Sequence, residues 1–111
     1  MNLNQLEYFR TLAHEEHYTR AAQMLSITQP SLSHAIAQLE QELGTRLFEK
    51  KGRNIVLTRY GKIFLPYVED ALKILDDGVQ RTRELNGSKE GMINLAYIYT
   101  MAVSYTHLRA H

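Results

Sequence analysis

The 111 residues contain no cysteine and no tryptophan. Without cysteine there is no disulfide framework, no thiolate zinc site and no cysteine nucleophile. No apolar run approaches the roughly eighteen residues that a spanning helix needs. Met1 to Phe9 carry Glu7 and no basic segment, so no secretory signal is expected either. The expected compartment is the cytoplasm, with no membrane partner. No glycine-rich phosphate loop and no nucleophile beside a sequence-adjacent base stands out, so neither catalysis nor a bound cofactor has support in the sequence.

What is present is the composition of a soluble globular chain, 44% apolar and 23% charged. Its length suits one small domain plus an appendage. The net charge of +1 averages over an uneven distribution. Between Leu43 and Lys62 stand Arg46, Lys50, Lys51, Arg53, Arg59 and Lys62 against Glu49 alone, a local +5. Such a cluster is either an electrostatic footprint for a polyanion or a solvated hairpin whose lysines protect an edge strand.

The first segment, Asn2 to Glu16, spaces Leu3, Leu6, Phe9, Leu12 and Ala13 as one helical face, with Gln5, Glu7, Arg10 and Glu15 opposite. A short second helix is predicted from about Arg20 to Leu25, capped by Thr19, and Ala21 and Ala22 allow a neighbour to approach closely. After Ser26, Ile27 and Thr28 a third helix begins, with Thr28 as cap and Pro30 in its first turn. It runs through Glu42 and stops at Gly44. Two helices joined by so short a turn suggest a helix-turn-helix. From Leu47 to Leu57 the period changes, and Lys51, Gly52, Arg53 and Asn54 signal the turn of a β-hairpin, or wing. Thr58 can cap a long helix from Arg59 to about Leu85, about 40 Å at the usual rise, with Pro66 a point where it can bend. Its apolar residues Ile63, Phe64, Tyr67, Val68, Ala71, Leu72, Leu75 and Val79 recur every three or four positions. Three short helices cannot cover such a stripe, so the economical partner is a second copy, packed parallel or antiparallel. Asn86 to Gly91 reads as a linker, and Met92 to Tyr99 as one strand with an unpaired edge.

In the third helix Leu32, Ile36, Leu39 and Leu43 form one narrow stripe that must be buried. Opposite lie Pro30, His34, Ala37, Gln38 and Gln41, with Ser31 and Ser33 on the flanks. This uncharged polar face suits the floor of a major groove, where Gln can pair with adenine and Ser with either base type. The alternative is a plain solvent face, which would be expected to carry Lys and Glu. His34 is a base reader, a phosphate contact or merely exposed. The run His14, Glu15, Glu16 and His17 resembles a zinc protease motif, but the histidines are three apart where four are required, and no metal site is expected.

Taken together, Asn2 to Phe9, Thr19-Arg20-Ala21-Ala22, Thr28-Gln29-Pro30-Ser31-Leu32-Ser33, Ile36, Leu39-Glu40, Leu43-Gly44, Leu47-Phe48, Arg53 and Leu57-Thr58 resemble the LysR-type transcriptional regulators. The resemblance covers residues 1 to about 90. It implies a mainly α fold in three parts: a winged helix-turn-helix over 1–58 with three helices and a hairpin wing, a dimerising linker helix over 59–86, and from 87 to 111 a linker, the first strand of a sensing domain and an atypical tail. The chain is thus expected to be a fragment whose small-molecule effector acts through a domain it lacks. Double-stranded DNA and a second copy of the chain are the implied partners, with a tetramer open for the full-length protein.

Carried over by position, Gln29, Pro30, Ser31, Ser33 and His34 would face the major groove, while Thr19 and Thr28 would meet phosphates near helix N-termini. Arg53 would lie in or beside the minor groove. Arg20, Gln38, Lys50 and Lys51 complete the expected DNA-binding set. This chain has His34 and Lys50 where members commonly have Arg, and Tyr60 where Ala usually precedes Gly61. A second reading, from a different class, makes the long helix a protein-interaction surface and the helix-turn-helix its scaffold.

Overall fold

The computed structural model describes residues 1–86. They form helices α1 (Leu3–Glu15), α2 (Tyr18–Leu25) and α3 (Gln29–Leu43), strands β1 (Phe48–Lys51) and β2 (Asn54–Leu57), and helix α4 (Arg59–Asn86). The linker expected from Gly87, the strand at Met92 to Tyr99 and the tail from Ser104 lie outside the described residues. The chain divides into two units, Met1–Leu72 and Lys73 onward. The first therefore includes the opening half of α4 as well as the three short helices and the hairpin.

Local capping sets the helix boundaries. Asn2 Oδ1 accepts the Gln5 N–H at 2.8 Å, and Gln5 Oε1 accepts the Asn2 N–H at 3.1 Å, a reciprocal capping box. That box turns Gln5 inward and buries it, against the expectation of an outward polar residue, while Leu3 is left 52% exposed. Helix α2 begins earlier than its sequence suggests. The cap is His17, whose Nδ1 accepts the Arg20 N–H at 3.2 Å, and Thr19 lies inside the first turn. Helix α3 follows its sequence signals: Thr28 Oγ1 accepts the Ser31 N–H, Pro30 occupies the first turn, and Gly44 ends the helix at φ +74°. Glu16 and Ser26 take the same left-handed conformation, at φ 56° and 58°, to end α1 and α2.

The hairpin is antiparallel, with Phe48 opposite Leu57 and Lys51 opposite Asn54. That register leaves a two-residue turn, and Gly52 fills its first position at φ +65°.

In the first unit one core joins all the elements. Phe9 and Leu12 of α1 meet Ala21 and Ala22 of α2, Leu32, Ile36 and Leu39 of α3, Leu47, Phe48 and Ile55 at the wing, and Val68 and Leu72 of α4. The Phe9 ring lies between Phe48 and Phe64, with centroids 5.5 and 5.4 Å away. Leu43, expected to be buried, is 37% exposed because the last residue of α3 overhangs this core. Gly61 is buried where α4 crosses the chain entering the wing. A Cβ there would collide with the Leu47 carbonyl oxygen and sit 2.7 Å from Leu57 Cδ2. Tyr60 turns outward, its ring 5.2 Å from the Arg59 guanidinium carbon, so the departure at this position leaves the packed side to Gly61.

In the second unit the described residues continue α4 to Asn86, and Thr82 Oγ1 donates to the Gly78 carbonyl at 2.8 Å. No helix among the described residues is long and apolar enough to cross a membrane.

Candidate nucleic-acid interface

Burial of Leu32, Ile36 and Leu39 fixes the rotation of α3 and leaves Pro30, Ser31, His34, Ala37, Gln38 and Gln41 exposed, with Ser33 half-buried. No other part of the described chain covers that face.

The first turn of α3 is tied to its neighbours by side-chain hydrogen bonds. Thr19 Oγ1 donates to Gln29 Oε1 at 3.1 Å, bridging the N-terminal turns of α2 and α3. Thr28 Oγ1 donates to Ser31 Oγ at 2.8 Å while it accepts the Ser31 N–H at 3.2 Å. Each threonine has one hydroxyl proton, and in both it is engaged within the protein.

The wing reaches the same place by a backbone link. Ile55 N–H donates to the Glu16 carbonyl at 3.1 Å, which fastens β2 to the turn ahead of α2. Lys50, Gly52, Arg53 and Asn54 consequently share a cleft of about 360 Å³ with His17, Tyr18, Thr19 and Gln29. The structure brings together four of the residues singled out from sequence, Thr19, Gln29, Lys50 and Arg53. Lys51 is exposed on the hairpin but does not line that cleft, and His34 and Gln38 lie farther along α3. Arg20 is exposed, with Nε 3.8 Å from Glu15 Oε1.

Three contributors were not visible beforehand. Glu40 Oε2 accepts the N–H groups of Leu47 and Phe48 at 2.6 and 3.2 Å and the Arg46 Nε–H at 3.3 Å, which anchors the chain entering the wing to α3. His17 supplies the α2 cap. Tyr18 is half-buried; desolvation raises its phenol pKa, the Glu40 carboxylate adds to the rise, and Arg46 opposes it. Capping by histidine and a carboxylate serving two amides seven and eight residues onward leave no periodic trace.

The remaining histidine of the Glu-flanked run is used elsewhere: His14 Nε2 lies 3.0 Å from Glu69 Oε2 on α4. Among the described residues no cluster of three or more His, Asp or Glu side chains could hold a metal ion.

The α4 stripe is divided. Val68 and Leu72 are buried in the core of the first unit, and Phe64 is partly buried against it. Ala71, Leu75 and Val79 are exposed, as are Ile63 at 62% and Tyr67 at 71%. Ile74, absent from the expected set, is 70% exposed.

Comparison with known proteins points in one direction. The family model for bacterial regulatory helix-turn-helix proteins of the lysR family matches residues 3–62. The chain is 43% identical over 104 residues to the uncharacterized HTH-type transcriptional regulator YybE of Bacillus subtilis, covering 94% of this chain and 36% of that one. It is 41% identical over 98 residues to the HTH-type transcriptional regulator BudR of Klebsiella aerogenes, covering 86% of this chain and 66% of the relative. The chain thus spans about a third of the first relative and about two thirds of the second. Among solved structures, the BenM DNA-binding domain in complex with catB site 1 DNA superposes with a TM-score of 0.75 at 36% identity, over 81% of this chain and all of that one. A Corynebacterium glutamicum OxyR mutant does so at 0.74 and 38% identity, over 78% of this chain and 28% of its own.

Proposed function

Since the chain belongs to the lysR family of bacterial regulatory helix-turn-helix proteins, we propose that it is a sequence-specific DNA-binding transcription regulator acting in the cytoplasm by binding and not by catalysis. Residues 1–58 form the reading head, and 59–86 form the helix that joins two copies.

One observation carries this reading. The uncharged face of α3, from Pro30 to Gln41, stays exposed beside the cationic wing that holds Lys50, Lys51 and Arg53. Side chains of this kind can sit on base edges while the lysines and arginine meet phosphates. Ser31, Ser33, His34 and Gln38 follow Gln29 and Pro30 along the groove. With the Thr19 and Thr28 hydroxyl protons already engaged, phosphates at the starts of α2 and α3 would be held by the backbone N–H groups of those turns. Arg20 is the nearby cation on α2.

The relatives share this assignment in name: BenM and CbnR domains have been solved on DNA. A dimer of such heads reads an inverted repeat with half-sites a whole number of helical turns apart. The test is the salt dependence of binding. Log affinity should fall with log salt by roughly 0.9 for each phosphate neutralised, and a flat response would remove the reading.

The exposed Ile63, Tyr67 and Ile74 favour a second one, a helical interaction module without specific DNA binding. A gel shift with random DNA at low salt separates the two, because a scaffold would not retain even non-specific affinity.

A further inference from the structure

The face of α3 that points away from the core carries a single ionisable side chain. From Thr28 to Leu39 the sequence holds no lysine, arginine, aspartate, glutamate or tyrosine, and His34 alone can change its charge. Resting on the DNA-binding reading above, we propose that His34 meets DNA as an imidazolium, so that each reading head takes up a proton with its site and binds more tightly in mild acid.

His34 is exposed, and its neighbours one helical turn away are Pro30, Ser31, Ala37 and Gln38, all uncharged. The other two histidines among the described residues are engaged: His14 Nε2 lies 3.0 Å from Glu69 Oε2, and His17 Nδ1 accepts the Arg20 N–H at 3.2 Å. His34 has no hydrogen bond or ion pair among the described residues.

The charged groups on either flank supply no anion to this imidazole. At the start of α3, Gln29 opens on the cleft that holds His17, Lys50 and Arg53. Along one side of the helix, Ser33 and Ala37 share a depression with Tyr18, Glu40 and Arg46. The Glu40 carboxylate there already accepts the Leu47, Phe48 and Arg46 N–H groups. Glu42, the next carboxylate of α3, lies 2.6 Å from the Met1 ammonium. No carboxylate of the described chain is therefore placed to hold a proton on His34, whereas DNA brings phosphate oxygens and the guanine N7 and O6 acceptors to this face. Imidazole changes charge between pH 5 and 8, and its cationic form makes the stronger, charge-assisted bond to either kind of acceptor. The two equilibria are reciprocal: whatever factor DNA adds to proton binding, the proton adds to DNA binding.

The test uses the 111-residue chain and a DNA site that it selects from a random pool at pH 6. At constant ionic strength, affinity for that site should fall about tenfold per head between pH 6 and pH 8, the effect of one unit of difference in proton affinity. Calorimetry at pH 7 in two buffers of different ionisation enthalpy should show net proton uptake of up to one per head. His34→Gln should abolish both effects and bind at every pH as the wild type does at pH 8. His34→Arg should also give a flat profile, at or above the wild-type affinity at pH 6. A fold defect would lower affinity at every pH without flattening the wild-type slope. The same slope on random DNA places the contact on a phosphate, and a slope confined to the selected site places it on guanine. A flat wild-type profile, or a slope that persists in His34→Gln, overturns the proposal and leaves DNA reading intact. A pool from which nothing is enriched overturns both.

Discussion

The carboxylate of Glu40 accepts the backbone N–H of Leu47 at 2.6 Å, joining the last turn of α3 to the residue that enters the wing. Through the same oxygen it also holds the Phe48 N–H. Helix α3 and the hairpin that carries the cations are therefore held together by one side chain. Replacing Glu40 with Ala should cost about 1.5 to 3 kcal/mol, since two amides at a largely covered site lose a charged acceptor. Glu40→Gln, which keeps an acceptor oxygen, should cost less. Thermal denaturation of both variants checks this, and equal stability of Glu40→Ala and wild type would contradict it.

Two glycines of α4 should respond to alanine with opposite signs. At Gly61 the new methyl would meet the Leu47 carbonyl oxygen and Leu57 Cδ2, a crowding worth roughly 1 to 3 kcal/mol of lost stability. At Gly78 nothing lies within 4 Å of the added carbon, so Gly78→Ala should gain about 0.5 to 1 kcal/mol from helix propensity alone. Chemical denaturation midpoints of the pair would settle the contrast.

Stability should decline in alkali through Tyr18. Its pKa is raised above 10.0 in the folded protein, so the folded state holds the phenol proton more tightly than the unfolded chain does. The associated stabilisation is intact below the unfolded value and is lost as pH rises through the folded one. Melting temperature should therefore drop above about pH 10, and Tyr18→Phe should blunt that drop. An identical alkaline profile in the variant would refute the assignment.

Base reading and phosphate contact should separate by mutation. Gln29→Ala should lose about 1 to 3 kcal/mol at its matched base pair and little elsewhere, whereas Lys51→Ala should weaken all sequences and reduce the salt slope by about one. The check is titration of each variant against selected and random DNA. Equal losses on both DNAs from Gln29→Ala would cancel its role as a reader.

The divided stripe on α4 predicts two distinct phenotypes. Ile74→Glu, at an exposed position, should shift a dimer toward monomer in sedimentation equilibrium. Leu72→Ala, in the core, should instead cost about 2 to 5 kcal/mol of stability. Dimerisation unaffected by glutamate at both Tyr67 and Ile74 would remove α4 as the joining surface.

Local chemistry made much of the fold legible in advance. Thr28, Pro30 and Gly44 bound α3 because capping, the missing proline N–H and positive φ are properties of single residues acting on their own backbone. The wing turn at Gly52 follows for the same reason. The rotation of α3 was readable from Leu32, Ile36 and Leu39, since a helix of fixed pitch sends residues so spaced to one side.

Other features depend on residues distant in the chain, and no spacing announces them. Whether Val68 faces the domain or a second copy depends on where Phe9 and Phe48 place the core, so the periodicity of α4 identified the stripe but not its division. The need for glycine at position 61 arises from the Leu47 carbonyl, brought alongside only when the wing folds back. Glu40 became an anchor and Thr19 a partner for Gln29 by the same route. Sequence alone determined the helices, the turns and which side of α3 is polar, because those follow from bonding within a few residues. Tertiary structure decided which polar groups are already engaged and which remain free to meet a ligand, because hydrogen bonds are short and directional and form only once packing has set both partners in place.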